Sequence, residues 1–241
     1  MIAIKTDALK KVFNDTVAVD SLSLDIMQGE LYGLLGVNGA GKTTTIKMLS
    51  CLISPSEGSV LVLGYNTQKD AHKIKQLIGV SPQETAIATN LTVRENIEFI
   101  AAIYGLEKTE LKQKTDEIIK KLNLIEYQSK KAKTLSGGFQ RRLSIAMALV
   151  SSPKILFLDE PTLGLDVLAR RELWKLISSL KGNTTIILTT HYMEEAENLS
   201  DRIGIMVEGK LIAQGSAQEL KDMAGTNDFE EAFVKLATRE N

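Results

Sequence analysis

Residues 36 to 43 read Gly36-Val37-Asn38-Gly39-Ala40-Gly41-Lys42-Thr43, a complete G-x-x-x-x-G-K-[ST] pattern set between an apolar run at 31–35 and a helical pattern opening at Thr44. In that setting the pattern is a phosphate-binding loop. Glycines are needed because backbone N–H groups must turn inward and approach the phosphates through conformations that a side chain obstructs. Lys42 can then reach the β- and γ-phosphates, while the Thr43 hydroxyl can ligand Mg2+.

A second chemical centre lies downstream. Ile155-Leu156-Phe157-Leu158 runs straight into Asp159-Glu160. Four apolar residues mark a buried strand, so both acids stand at its C-terminal end, where open α/β sheets place their ligands. Asp159 is placed to hold Mg2+, and Glu160 to orient and polarise a water that attacks the γ-phosphate. The plainer alternative, two acids that end a strand and cap the next turn, is the weaker one behind a phosphate loop. A third centre is Leu135-Ser136-Gly137-Gly138-Phe139-Gln140-Arg141-Arg142, with an apolar helical face continuing through Leu143, Ile145 and Leu149. Ser136 suits an N-cap, and the unfilled N–H groups of a helix start attract anions. Alone this is a helix start; beside a loop that already fills the phosphate role, it suggests a second surface for the same nucleotide.

These residues need a scaffold, and the pattern around them supplies one. Strand-like segments fall at 22–26, 31–35, 59–63, 155–158 and 185–189, with helical patterns between several of them. That alternation argues for α/β layering with parallel strands at the centre. Residues 203–207, then Glu208-Gly209, then 211–213 read as a hairpin. From about residue 92 to 150 the strand signal disappears. Val93, Ile97, Ile100 and Ala101 keep helical spacing, as do Leu111, Ile118, Ile119 and Leu122, with Gly105 and Asn123 as punctuation. A helical insertion is therefore expected, and a short final helix at 228–236 that packs on the core.

The composition narrows the possible classes. The chain has 241 residues, 44% of them apolar, enough for a substantial core. Lys plus Arg number 29 against 30 Asp plus Glu, so no whole-chain charge draws it to nucleic acid, and no nucleic-acid partner is expected. The densest basic cluster, Lys130, Lys131 and Lys133, reads as a solvated face. Cys51 excludes an internal disulfide and reads as a small apolar residue packed behind the loop. No apolar run is long enough to span a bilayer, so work at a membrane would require spans from another polypeptide.

Taken in order, the phosphate loop, Gln83, LSGG at 135–138, ILFLDEPT at 155–162, LGLD at 163–166 and His191 resemble the ATP-binding subunit of an ABC transporter. The likeness covers nearly the whole chain. It implies a P-loop NTPase core, α/β with a mixed, mainly parallel sheet, a small antiparallel β region and an inserted α-helical subdomain. A single domain over 1–241 would divide into a core at 1–85 and 151–225, an insertion at about 86–150 and a C-terminal helix at about 226–241. The resemblance further implies two subunits, identical or different, paired head to tail around two ATP molecules with Mg2+. Phosphates would lie on Gly36, Val37, Asn38, Gly39, Ala40, Gly41, Lys42, Thr43 and Thr44 of one subunit, and on Ser136, Gly137 and Gly138 of the other. Phe13 corresponds to a ring stacked on adenine; by itself it reads as a core residue. Gln83 corresponds to a metal- and water-sensing glutamine, sharing the metal with Thr43 and Asp159, or else is a polar loop residue after Pro82. Asp166 corresponds to an aspartate at the subunit interface, which a helix N-cap explains equally well. His191 gains a γ-phosphate contact that also orders Glu160, joining Lys42 and Glu160 in catalysis; His72, in a lysine-rich helix, reads as a surface residue.

HYMEEAE at 191–197, the stretch 91–105 and FEEAFVKL at 229–236 are similar to exporter subunits of the ABC-2 type, a group that includes drug-resistance pumps. A membrane-spanning permease partner and a peripheral place on the cytoplasmic membrane face follow from that likeness. Phe139 and Val167 depart from the residues more usual at their positions, Gln or Met and Pro. Two other readings stay open: a soluble ATPase of this type acting on ribosomes or DNA, and a nucleotide-dependent regulatory module. One cassette and ninety-three residues between Lys42 and Ser136 count against the first, and the presence of Glu160 and His191 against the second.

Overall fold

The computed structural model describes residues 1–238. The last three positions of the C-terminal segment expected at about 226–241 lie outside the described residues. The elements in chain order begin with β1 (Ile2–Phe13), β2 (Thr16–Met27), β3 (Leu31–Leu35), α1 (Lys42–Leu49), β4 (Glu57–Val62), β5 (Tyr65–Asn66) and α2 (Ala71–Lys75). The middle holds β6 (Ile78–Ser81), α3 (Val93–Ile103), α4 (Lys108–Lys121), α5 (Gly137–Leu149), β7 (Ile155–Asp159) and α6 (Val167–Ser178). Last come β8 (Thr185–Thr190), α7 (Met193–Leu199), β9 (Arg202–Val207), β10 (Lys210–Gly215), α8 (Ala217–Ala224) and α9 (Phe229–Thr238). Two compact units result, one from residues 1–75 and 181 onward, the other from 76–180. The architecture is α/β, with parallel and antiparallel sheet and a helical region.

In the first unit, β1 pairs antiparallel with both β2 and β4, and β5 adds to β4. β3 pairs parallel with β8 on one side and with β9 on the other, and β10 folds back antiparallel on β9. Every residue of β3 and β8 is buried. Burial of every residue, the three threonines of β8 included, is what a parallel strand covered on both faces shows. Glu208 and Gly209 both take positive φ, 47° and 83°, as the two-residue turn between β9 and β10 demands. α9 buries Phe229, Phe233 and Leu236 against a cluster that includes Leu35, Ile203 and Ile205, which holds the strand leading into the phosphate loop.

In the second unit, β6 and β7 run parallel, Ser81 opposite Leu158, among α3, α4, α5 and α6. Thr92 starts α3 with a capping box: its hydroxyl accepts from Glu95 N, and Glu95 accepts from Thr92 N. Gly105 and Asn123 follow α3 and α4 with φ of 78° and 55°, the left-handed turn that ends a helix.

Three sequence expectations change. β1 is a full strand although its apolar residues do not alternate cleanly, because register shifts and Ala8 at φ 43° break the period of two. β6, four residues long, gave too short a pattern to stand out. Leu63, expected in a strand, instead takes φ 50° and opens a turn with Gly64 at 83°, so β4 ends one residue earlier.

Ser216 and Glu219 form the same capping box at α8. In both boxes the backbone N–H of the capping residue, then its hydroxyl, holds the glutamate below its ordinary pKa. Their stabilising contribution is therefore present above the usual glutamate range and is lost as pH falls through the lowered folded values. Ser216→Ala is expected to lower stability by about 1 kcal/mol and to flatten the acid limb of thermal unfolding midpoints measured against pH.

Candidate nucleotide-binding site

The phosphate loop leaves β3 where it lies beside β8. Leu35 is opposite Thr190, and Gly36 N donates to Thr190 O at 3.3 Å. His191, half-buried, follows Thr190 directly, so the loop and His191 leave neighbouring parallel strands at the same end. The histidine stands in the turn before α7 rather than on the helix itself, with its ring 4.2 Å from that of Tyr192.

The loop is shaped by close packing. Gly41 has φ 98°, and a Cβ there would come within 2.4 Å of Ala18 O; a Cβ on Gly36 would come within 2.4 Å of Met206 O. Gly209 N donates to Ala40 O at 3.2 Å, and Asp20 N to Gly209 O at 2.9 Å. The β9–β10 turn and β2 thus press the loop from outside. Lys42 is buried, and its Nζ donates to Gly36 O at 2.8 Å and Val37 O at 3.1 Å. The ammonium is thus tied to the carbonyls at the start of the loop. Val37, Asn38 and Gly39 form its exposed rim, and Thr43 and Thr44 lie half-buried on the first turn of α1. Gly41 has no side chain with which to cap that helix, leaving its first N–H groups for an anion. Phe13, 46% exposed, ends β1 opposite Thr16, close in sequence to the Ala18 that abuts Gly41, and Lys11 Nζ lies 5.0 Å from its ring centre.

The second unit gathers the other candidates. β6 and β7 end together, so Gln83 and the pair Asp159-Glu160 emerge from neighbouring strands. Both acids are buried, and Glu160 is held at φ 46°, a left-handed conformation that costs a non-glycine residue about 1 kcal/mol or more. Ser136 occupies the N-cap position of α5, yet its hydroxyl makes no capping bond, contrary to its expected use as a cap. Gly137 and Gly138 begin the helix, with Ala169 Cβ 3.4 Å from where a Gly138 Cβ would sit. Asp166 does cap: Oδ1 accepts from Leu168 N and Ala169 N, both at 2.9 Å, starting α6. Phe139 packs within its own subunit, its ring centre 4.0 Å from Tyr127 and under the Arg142 guanidinium at 5.0 Å; Arg142 also pairs with Glu172.

Thr43, Gln83 and Asp159 offer a hydroxyl, an amide oxygen and a carboxylate. Each is an oxygen donor of the kind that Mg2+ takes, the ion binding through one or two carboxylates and substrate phosphates. Among the described residues no cluster of three His, Cys, Asp or Glu side chains forms a metal cage.

Residues 19–163, more than half of the chain, match the family model for ABC transporters. The daunorubicin/doxorubicin resistance ATP-binding protein DrrA of Streptomyces peucetius is 40% identical over 226 residues, spanning 93% of this chain and 68% of DrrA. The chain belongs to the ABC transporter family. It is an ABC ATPase subunit, homologous to ATP-binding proteins of drug-resistance transporters. Among solved structures, the ATP binding subunit of an ABC transporter superposes with TM-score 0.86 at 26% identity, covering 97% of this chain and 99% of that one. A dimeric ATP-binding cassette in a post-hydrolysis state, bound to ADP and Pi, gives 0.81 at 26% identity, covering 88% of this chain and 98% of that one.

The residues missed from sequence are those that mould the loop rather than touch a ligand: Ala18, Met206 and Gly209. Each meets the loop through long-range packing, and only Gly209, in a Glu-Gly turn pair, carried any local signal.

Proposed function

We propose that this cassette binds Mg·ATP between two subunits, hydrolyses it, and drives export through a separate membrane-spanning partner from a peripheral position on the cytoplasmic face. The observation that carries the reading is the phosphate loop itself, moulded by backbone contacts at Gly36 and Gly41 and closed by the Lys42 ammonium on two loop carbonyls. Lys42 and the α1 amides would hold the β- and γ-phosphates, with Ser136, Gly137 and Gly138 of the opposing subunit gripping the same ATP. Thr43, Asp159 and Gln83 would hold Mg2+, which when bound neutralises charge on the phosphates. Glu160 would orient and polarise the attacking water, and His191 would contact the γ-phosphate. Asp166, already spent in part on capping α6, would stand at the subunit interface. No helix among the described residues is long and apolar enough to cross a membrane, which fits a partner that supplies the spans.

Phe13 is the proposed adenine platform. Stacking of a base on an aromatic ring contributes about 1–3 kcal/mol, so Phe13→Ala is expected to weaken ATP binding by roughly tenfold while Phe13→Tyr retains it, as read by equilibrium titration. The sandwich itself is tested by turnover against protein concentration. Specific activity with Mg2+ should rise with concentration, because two subunits build each site. A specific activity independent of concentration in a protein that stays monomeric would contradict the shared site.

A further inference from the structure

The helix that presents residues 136–138 is fastened to the segment carrying Gln83 by a seam of three contacts. Arg141, buried one turn into α5, donates from Nη1 to Pro82 O and from Nη2 to Gln83 O, each at 2.7 Å. About one turn on, Ser144 Oγ and Ser81 Oγ share a buried hydrogen bond of 2.8 Å. Further along, the backbones approach so closely that a Cβ on Gly79 would lie 2.1 Å from Ala148 O.

Arg141, Ser144 and Ala148 share one helix face, and Gly79, Ser81 and Gln83 follow the strand period of two. The spans also match, about 10 Å of helix against about 13 Å of extended chain.

The Arg141 contact differs in kind from the other two. Ser81 is the last residue of β6 in register with β7, so Pro82 and Gln83 lie beyond the ladder and gain no order from it. A buried guanidinium is costly unless its donors are satisfied, and here two of them go to consecutive loop carbonyls. The planar fork suits that pair; a lysine ammonium, a point donor on a shorter reach, does not.

We propose that Arg141 is a positioning residue that makes the Gln83 turn and the 136–138 turn a single mechanical piece. On the sandwich reading above, on which this inference rests, the two turns serve different ATP molecules: Gln83 its own subunit's, residues 136–138 the partner's. Arg141 therefore couples the two nucleotide sites through one subunit.

The test compares ATP dependence of turnover in full-length wild type, Arg141→Met, Arg141→Lys and Ser144→Ala, alongside ATP affinity and the unfolding midpoint. Wild type should turn over cooperatively. Arg141→Met should lose cooperativity and on the order of tenfold in kcat, with ATP affinity of the single subunit held within about twofold. Arg141→Lys should fall between the two. Ser144→Ala, which weakens the seam without touching the Gln83 turn, should lower the unfolding midpoint and keep cooperativity.

Cooperativity unchanged in Arg141→Met overturns the proposal, and so does an equal loss in Ser144→Ala, which would mean that seam stability alone matters. If Arg141→Met does not fold, Arg141→Lys decides by the same criterion. A wild type that neither dimerises with ATP nor turns over cooperatively overturns the sandwich itself, and this shows before any variant is compared.

Discussion

Glu160→Gln is expected to lose turnover by a factor on the order of 10² to 10⁴ while ATP binding stays within about threefold of wild type. Glu160 directly follows β7, at the end shared with Gln83, and is buried. Its φ of 46° aims the side chain from a backbone conformation that a non-glycine residue adopts only when its surroundings enforce it. Glutamine has the same shape and tolerates the same backbone, so the variant removes the basic oxygen and little else. On the proposed reading the phosphates are held by residues 36–44 and by the opposing 136–138 turn, none of which the change alters. Phosphate release and nucleotide titration on the same preparation check both halves; a loss of less than tenfold would move the water-polarising role to another residue.

Gly41→Ala should abolish nucleotide binding, with affinity weakened by about a hundredfold or more. At φ 98° an alanine is strained, and its Cβ would stand 2.4 Å from Ala18 O and 3.3 Å from Met206 Cε. The first obstacle is backbone of β2, which cannot rotate away, so the loop must deform and carry the α1 amides with it. Gly39→Ala is the informative contrast. Gly39 also has a positive φ, 83°, but open space surrounds the position where a Cβ would lie. Only conformational strain remains there, about 1 kcal/mol, so the affinity loss should be roughly tenfold or less. Titration of both variants separates strain from collision.

The chemistry was legible because it is written in local order. The phosphate loop, the strand running into Asp159-Glu160 and the LSGG turn each specify residue types at fixed spacing, and the four apolar residues of β7 announced its burial directly. β1 was not legible: its bulge at Ala8 breaks the alternation by which a half-buried strand is recognised. Capping residues split for the same reason. Asp166 caps as its type suggests, whereas Ser136, of equally suitable type, does not turn its hydroxyl to the helix, and only tertiary surroundings decide between them. Arg141 was visible as part of the motif string, but its partners lie 58 and 59 residues away in the chain. No local pattern reports a guanidinium that reaches carbonyls at that separation.

On the proposed function two subunits close around ATP, and two copies of this chain are the pairing to be measured. The most direct measurement is the mass in solution of purified Glu160→Gln protein with and without ATP and Mg2+. Bound nucleotide that is not hydrolysed should hold the closed form, so the account predicts a monomer without nucleotide and a dimer with it. Adding Ser136→Arg, which places a bulky cation on the exposed turn that would face the partner's ATP, should return the protein to a monomer while it still binds nucleotide. A monomer under both conditions, in protein shown by titration to be saturated with ATP, would contradict the shared site.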